Sequence, residues 1–194
     1  MTGLMARIAL CLSILTLSSA GSTCLPDQGD GSKLCFTWSV ASSNITFNVL
    51  CVPPTFPPPV IGPVVWCALG WAIFPNSNKM WPASAFVFGP LENGGCFVGD
   101  HQTAAYAQPA CLPQQFSSVL GCVPGVGANS TNFTITRPLI VPSPAVSILP
   151  GIPYNILGAI STAGNFSAAP VCPSNSPFTE HASAFSGGPA ITFL

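Results

Sequence analysis

Proline and glycine recur along almost the whole chain, and they limit the regular structure that it can form. The 194 residues include 22 prolines and 18 glycines. Proline removes a backbone hydrogen-bond donor, and glycine costs about 1 kcal/mol relative to alanine inside a helix, so long helices are disfavoured. Short segments of alternating apolar and polar side chains lie between these residues. The sequence therefore predicts short strands joined by turns.

The first two strands are predicted from a regular alternation at residues 34–40 (LCFTWSV) and 44–52 (NITFNVLCV). Because only residues 41–43 separate them, we expect an antiparallel hairpin. The same reasoning predicts further strands at residues 64–74, 85–89, 131–141, 152–161 and 189–194. About seven short strands without an amphipathic helix indicate an all-β fold, an antiparallel immunoglobulin-like β-sandwich.

The segments between the predicted strands are rich in proline, glycine and cysteine. Residues 53–63 (PPTFPPPVIGP) have few backbone donors and are predicted to form an extended loop. Residues 89–130 lack clear periodicity, and we interpret them as disulfide-tied loops around one or two short strands. Without a repeat or a shift in composition, residues 21–194 are predicted to form a single domain.

The N-terminal segment predicts export. Residues 1–20 combine Arg7, the apolar run IALCLSILTL and the small residues Ser18, Ser19 and Ala20, which is the pattern of a cleaved signal peptide. An even number of cysteines follows it and favours disulfides: Cys24, Cys35, Cys51, Cys67, Cys96, Cys111, Cys122 and Cys172. Glycosylation sequons begin at Asn44, Asn129, Asn132 and Asn165. We therefore expect a secreted, disulfide-braced glycoprotein, either extracellular or in a cell wall.

The low charge and the absence of common motifs exclude several functions. Four Lys or Arg residues against five Asp or Glu residues leave no basic patch for nucleic acid. No apolar segment after the predicted leader is long enough to span a bilayer, so no membrane span is expected in the mature chain. The sequence also lacks a G-x-S-x-G nucleophile motif, an H-E-x-x-H zinc motif and C-x-x-C pairs. Ordinary hydrolase chemistry is therefore not predicted.

Methionine and histidine are rare in this chain, which makes them candidate ligands. Met80 is the only methionine beyond the predicted leader, and His101 and His181 are the only histidines. A thioether and an imidazole form an axial pair that holds a haem iron and raises its reduction potential. Met80 and His181 can supply such a pair, because loops distant in sequence can meet across a pocket. On these residues alone, a core methionine and a surface histidine remain the alternative.

Three segments are similar to the DOMON family of secreted cytochrome b-type domains. Residues 66–89 (WCALGWAIFPNSNKMWPASAFVFG) resemble the strand–turn–strand of the family, and residues 133–139 (FTITRPL) resemble its F-x-R-P-L strand. Residues 152–193 resemble its last part, in which a strand, a histidine-containing loop and a final strand follow one another. The resemblance covers the chain from about Cys24 to its C-terminal end.

The resemblance implies a non-catalytic electron-transfer domain that binds haem b, with Met80 and His181 as the axial ligands of the iron. His101 is the competing imidazole. Candidate pocket aromatics are Trp71, Trp81, Phe86, Phe88 and Tyr154, although each is equally consistent with the sandwich core. Trp81 departs from the family pattern, because small residues usually follow the methionine. The expected partner is a redox protein or a small-molecule electron donor, with a membrane cytochrome b561 as a further candidate.

Two alternative functions stay open at this point. A haem-free relative would be an extracellular binding module for a ligand such as a carbohydrate, whereas a structural cell-surface glycoprotein would bind no ligand. Related domains often have a disulfide at their first strand. This similarity favours a bond between Cys24 and Cys35, which bracket a short polar loop.

Overall fold

The computed structural model describes residues 19–26, 29–55, 63–72, 83–103, 110–125, 129–162, 166, 183–185 and 190–193. Most of the predicted signal peptide, residues 1–18, lies outside these ranges, as do Asn165 and Cys172. The described ranges contain strands but no helix. Consequently, none of their elements is a helix with the length and apolarity needed to cross a bilayer.

Twelve strands lie within the described residues. Their bounds are β1 Ala20–Cys24, β2 Lys33–Ala41, β3 Asn44–Val52, β4 Trp66–Ala72, β5 Ala83–Pro90, β6 Cys96–Thr103, β7 Ala110–Cys111, β8 Ser118–Pro124, β9 Thr131–Pro138, β10 Pro153–Ser161, β11 Ser183–Phe185 and β12 Ile191–Thr192. Antiparallel pairing joins β1, β2, β3, β9 and β8, in that order, into a smaller sheet. A larger sheet has the order β11, β10, β4, β5, β6 and β7, with β12 also paired to β10. The two sheets form a sandwich, which confirms the predicted all-β fold class.

The predicted hairpin of β2 and β3 is confirmed. Leu34 lies opposite Cys51 and Ala41 lies opposite Asn44, so the pairing extends along both strands. Ser42, at the turn, has a φ of 56°, which lies in the left-handed region. Both strands bury alternate side chains, because successive side chains of a strand point to opposite faces of the sheet.

Strands also occur where the sequence predicted loops or leader. The interval 89–130 contains β6, β7 and β8, whereas one or two short strands were expected there. The alternation is obscured in β6 because it buries the polar residues Asp100 and His101 next to each other. β1 begins at Ala20, the last residue of the predicted leader, and pairs with β2.

Aromatic side chains fill the space between the sheets. Phe47 of β3 contacts Phe86 of β5 with ring centroids 5.4 Å apart, and Phe133 of β9 contacts Phe88 of β5 with centroids 4.8 Å apart. All four side chains are fully buried. Edge-to-face pairs at these distances contribute about 0.5–1.5 kcal/mol beyond the burial of their area. The aromatic core therefore holds β5 of the larger sheet against β3 and β9 of the smaller one.

Disulfides connect the two sheets and brace the first strand. The described bonds are Cys24–Cys35, Cys51–Cys67 and Cys96–Cys122. The first joins β1 to β2, as predicted, and each of the other two joins a strand of the smaller sheet to a strand of the larger sheet. Cys111 is also disulfide-bonded. Crosslinks of this kind fit an extracellular domain.

A buried ion pair connects β9 of the smaller sheet to β6 of the larger sheet. Nη1 of Arg137 lies 3.8 Å from Oδ1 of Asp100, and the two side chains are 1% and 2% exposed. Asp100 also accepts hydrogen bonds from the N–H of Phe116 and from the N–H and hydroxyl of Ser117, at 2.6–2.7 Å. The guanidinium of Arg137 lies 4.7 Å from the ring centroid of Trp71. Burial lowers the pKa of Arg137 to about 10, an effect that Asp100 opposes, so Arg137 stays charged at neutral pH.

We expect Arg137→Ala and Asp100→Ala each to lower the free energy of unfolding by about 3–5 kcal/mol, because either change leaves a buried charge unpaired. Lys33→Ala is the matched control, since it removes an exposed cation from β2 and should change stability by less than about 0.5 kcal/mol. Urea unfolding followed by circular dichroism measures all three variants. If both core variants lost less than about 1 kcal/mol, the ion pair would not be holding the sheets together.

Candidate functional site

Part of the outer face of the larger sheet is lined by small side chains, and Trp66 and Val87 lie at its other end. Along β4 and β5 the core-facing residues are mostly large, whereas residues on the opposite face include Ala68, Gly70, Ala72, Ala83 and Ala85. We call these five residues the small-residue face. Ala72 and Ala83 are at most 1% exposed, so the part of the face that they form is covered. Short side chains on a sheet allow another group to approach the backbone closely.

Strand register extends this face across four strands. Gly70 of β4 lies between Leu157 of β10 and Ala85 of β5, and Ala85 in turn lies opposite His101 of β6. With neighbouring strands about 4.8 Å apart, this row spans roughly 14 Å. A Cβ atom at Gly70 would lie 3.0 Å from the Cβ of Ala85, so any larger residue would crowd the row. The result is a flat patch with Leu157 on one side and His101 on the other.

His101 is a buried imidazole at the side of the small-residue face. It is 2% exposed, and its Nδ1 lies 2.9 Å from the carbonyl oxygen of Gly99. Because a carbonyl oxygen only accepts, Nδ1 carries the proton in this hydrogen bond, and the neutral ring keeps its lone pair at Nε2. Burial lowers the pKa of His101 from 6.5, against smaller raising effects of the Gly99 hydrogen bond and the Asp100 charge. His101 is therefore neutral at pH 7.

Met80 and Trp81 belong to a segment outside the described residues that connects β4 to β5, but both of its anchor points are described. β4 ends at Ala72 and β5 begins at Ala83, directly opposite. The hydroxyl of Thr103 accepts a hydrogen bond from the N–H of Ala83 at 3.2 Å and lies 3.3 Å from its carbonyl oxygen. The chain therefore leaves and re-enters the sheet at one end of the small-residue face, where β6 holds the re-entry point.

His181 also lies outside the described residues, two positions before β11 begins at Ser183. Ser183 lies opposite Ile160 of β10. Ala72, where the Met80 segment begins, lies opposite Asn155, five residues earlier on the same strand. At about 3.4 Å per residue, these positions are roughly 17 Å apart along the strands. The segments that carry the two predicted ligands are therefore anchored toward opposite ends of the small-residue face.

The described aromatic residues predicted for the pocket lie in the core between the sheets. Phe86 and Tyr154 are buried there, on the face of the larger sheet opposite to Ala85. The hydroxyl of Tyr154 accepts a hydrogen bond from the N–H of Leu149 at 2.8 Å, which holds the loop between β9 and β10. Trp71 and Phe88 belong to the same core cluster.

The small-residue face and His101 carry weak signals in the sequence. β4 reads WCALGWA, in which both faces are apolar, so the pattern does not show which face meets the core. His101 is a weak candidate in the sequence because it lies in the cysteine-rich middle of the chain, where the DOMON resemblance implies no ligand. Both features depend on which residues lie side by side on neighbouring strands, and this information is not local in sequence.

Comparison with known proteins gives a fold. No protein-family model matches the chain, and neither does any curated protein. Among solved structures, the chain is similar to the cytochrome b domain of pyranose dehydrogenase from Coprinopsis cinerea, with a TM-score of 0.53 and 14% sequence identity. The match covers 86% of this chain and 80% of that domain. The two proteins therefore share a fold.

His101 should make the protein less stable as the pH falls. In the unfolded chain the imidazole takes up a proton near its ordinary pKa of 6.5, whereas burial lowers this pKa in the folded protein. The unfolded state therefore binds more protons below that pH, and the free energy of unfolding decreases as the pH falls from about 7 to about 5. Thermal unfolding across this range measures the decrease, and His101→Gln should make it shallower. An equal pH dependence in both proteins would contradict a buried neutral histidine.

Proposed function

We propose that this protein is a secreted electron-transfer domain that binds haem b, with Met80 and His181 as the axial ligands of the iron. The fold that it shares with a cytochrome b domain supports the proposal. The sequence also has a thioether and an imidazole at the positions that the DOMON resemblance assigns. The observation that carries the proposal is the small-residue face, because it lies between the anchors of the segments that contain these two side chains.

The chemistry of this face fits a flat apolar ring. All five of its residues are alanine or glycine, so no long or charged side chain of theirs projects from the sheet. The row from Leu157 to His101 is roughly 14 Å wide, and a porphyrin would lie over its two small middle positions, Gly70 and Ala85, between the two larger side chains. Such a ring would pack against apolar carbon on the sheet side and would be shielded from water there.

Chain length allows both proposed ligands to reach this face. Met80 precedes Ala83 by three residues, and His181 precedes Ser183 by two. An extended residue spans about 3.3–3.6 Å, so the chain reaches up to about 10 Å from the first anchor and about 7 Å from the second. The anchors are roughly 17 Å apart along the strands and three strand spacings, roughly 14 Å, apart across them, or roughly 22 Å in all. The two side chains would therefore have to supply the distance that the backbone does not.

Each protein group has a distinct task in this proposal. A bound haem would supply one-electron transfer, and Met80 and His181 would fill both axial positions of its iron. The thioether of Met80 would raise the reduction potential, and the small-residue face would keep water away from the ring. His101, buried and neutral, would add a dipole at the side of the site without adding a charge. The electron donor and acceptor, whether a redox protein or a small molecule, remain predictions.

The first test is the absorption spectrum of the purified secreted protein before and after dithionite, with haem added if none co-purifies. We expect a sharp Soret shift and resolved α and β bands on reduction, because two strong axial ligands make the iron low-spin. A flat spectrum that added haem does not change would overturn the proposal.

Ligand variants then test the two assigned residues. His181→Ala should lose haem, whereas Met80→Leu should keep most of it and lower the reduction potential. His101→Gln is the control for the competing imidazole and should keep the low-spin spectrum. Unchanged spectra in the Met80 and His181 variants, or loss of haem in the His101 variant alone, would contradict the assignment.

A further variant tests the small-residue face itself. Ala85→Leu should weaken haem binding by about 1–3 kcal/mol, or roughly 5- to 150-fold in Kd, because the larger side chain occupies the space above the sheet. Ser39→Leu, on the exposed outer face of the smaller sheet, is the matched control and should leave the Kd unchanged. Haem titration, with circular dichroism to verify folding, measures both. Equal haem affinity in the folded variants would place the haem elsewhere.

A haem-free carbohydrate-binding module remains the alternative function, but the described residues include no exposed aromatic side chain that would stack on a free sugar. Sugar-binding surfaces commonly present aromatic rings. In the described part of the chain the exposed large apolar side chains are aliphatic: Leu120, Val123, Ile140, Leu149 and Ile152.

A further inference from the structure

A cleft of about 380 Å³ opens at the end of the larger sheet opposite to Ala72 and Ala83. Its described walls come from three places: the chain just before β4, the turn between β5 and β6, and the hairpin of β8 and β9. The lining residues are Pro63, Val64, Pro90, Gly94, Gly95, Cys122, Val123, Asn129, Ser130 and Thr131. Charged side chains do not occur among them, and most of the side chains are apolar.

Part of this apolar lining is exposed to solvent. Val123 is 59% exposed and lies on β8, an edge strand of the smaller sheet. Pro63 is exposed as well and Pro90 is partly exposed, while Val64 closes the inner end of the cleft. Exposed apolar side chains that line a concavity are typical of surfaces that another group covers.

The last three lining residues are themselves a glycosylation sequon, Asn129-Ser130-Thr131. Asn129 has a φ of 64°, in the left-handed region that asparagine tolerates in turns. Its carbonyl oxygen accepts a hydrogen bond from the N–H of Val64 at 3.3 Å, and the N–H of Gly125 donates to the carbonyl oxygen of Ser130 at 2.9 Å. These bonds fix the backbone of Asn129 beside the inner wall of the cleft.

We propose that Asn129 carries an N-linked glycan and that its first sugar occupies this cleft. The less polar face of the sugar ring packs against Pro63, Pro90 and Val123, and its hydroxyl groups face the open side.

In the modification step, Nδ2 of Asn129 bonds to C1 of an oligosaccharide carried on a lipid diphosphate. The bond from C1 to the phosphate oxygen breaks, the lipid diphosphate leaves, and Nδ2 loses one proton. The proposal requires export through a glycosylating pathway but does not depend on haem.

The two other described sequons lie in different surroundings. Asn44 is exposed next to the β2–β3 turn, and it is not among the residues that line the cleft. Asn132 lies inside β9, between Leu50 of β3 and Val123 of β8, whereas Asn129 lies in the turn before this strand; both are half-buried. N-linked glycans are typical of surface loops, which favours Asn129 over Asn132. Asn44 is therefore the control, because a glycan attached there would not contact the cleft.

The experiment uses the full chain secreted from a eukaryotic host. Glycopeptide mass spectrometry should find Asn129 occupied, and Asn129→Asp should remove that glycan while keeping a residue that tolerates the left-handed φ. Hydrogen exchange at the amides of Val64 and Gly95 should be slower in the glycosylated protein than in Asn129→Asp, because the sugar covers the cleft. The loss should also lower the Tm by about 2–4 °C, the shift that a modest contact produces in a domain of this size. Asn44→Asp should change neither quantity.

Three results would overturn the proposal. The first is an unoccupied Asn129, including occupancy of Asn132 in its place. The second is an occupied Asn129 whose glycan leaves exchange at Val64 and Gly95 unchanged. The third concerns the protein trimmed to one sugar. If Val123→Asp, which makes the cleft wall polar, leaves exchange at these amides as slow as before, the sugar does not pack against the cleft. Without this substitution, we expect the protein trimmed to one sugar to keep slow hydrogen exchange at Val64 and Gly95, since only the first sugar contacts the cleft.

Discussion

The buried pair of Arg137 and Asp100 is the interaction on which the arrangement of the two sheets depends. It joins β9 to β6 across the core, and Nη2 of Arg137 also donates to the carbonyl oxygen of Val146 in the loop before β10. The same guanidinium covers the ring of Trp71 in β4. Desolvation makes such a pair costly, so its value lies in specificity, because any other alignment of the sheets would leave a charge buried alone. β4 and β6, which flank β5 in the larger sheet, are thereby held in one position.

The side chains that this ion pair holds in the core determine which neighbouring residues lie on the outer face of the larger sheet. With Asp100 directed into the core, the pleat directs His101, the next residue of β6, to the opposite face. With Trp71 and Phe86 in the core, the neighbouring positions Ala72 and Ala85 belong to that same outer face. Large side chains therefore fill the interior, and small ones form the outer face of β4 and β5 toward Ala72 and Ala83, while Trp66 and Val87 cover its other end. In our proposal the haem lies here because bulk is absent, and the described aromatic residues Trp71, Phe86, Phe88 and Tyr154 serve the core.

The disulfides and the proposed glycan act on other parts of the same sandwich. Cys51–Cys67 and Cys96–Cys122 tie the sheets together near the start of β4 and the start of β6, at the end where the cleft opens. The opposite end, at Ala72 and Ala83, holds the segment that contains Met80. The two disulfides between the sheets therefore lie at one end of the sandwich, and the segment that contains Met80 is attached at the other end.

The sequence by itself determined the strands whose alternation is regular, such as 44–52 and 131–138, because a period of two is a local property. The DOMON resemblance added Met80 and His181, which lie outside the described residues and remain predictions. Local pattern could not reveal β6, because its buried Asp100 depends on partners distant in sequence: Arg137, and the hydrogen-bond donors of Phe116 and Ser117. Nor could it reveal the row of Gly70, Ala85 and His101. Only the tertiary structure decided these features, because register and ion pairing depend on side chains that meet across strands distant in sequence.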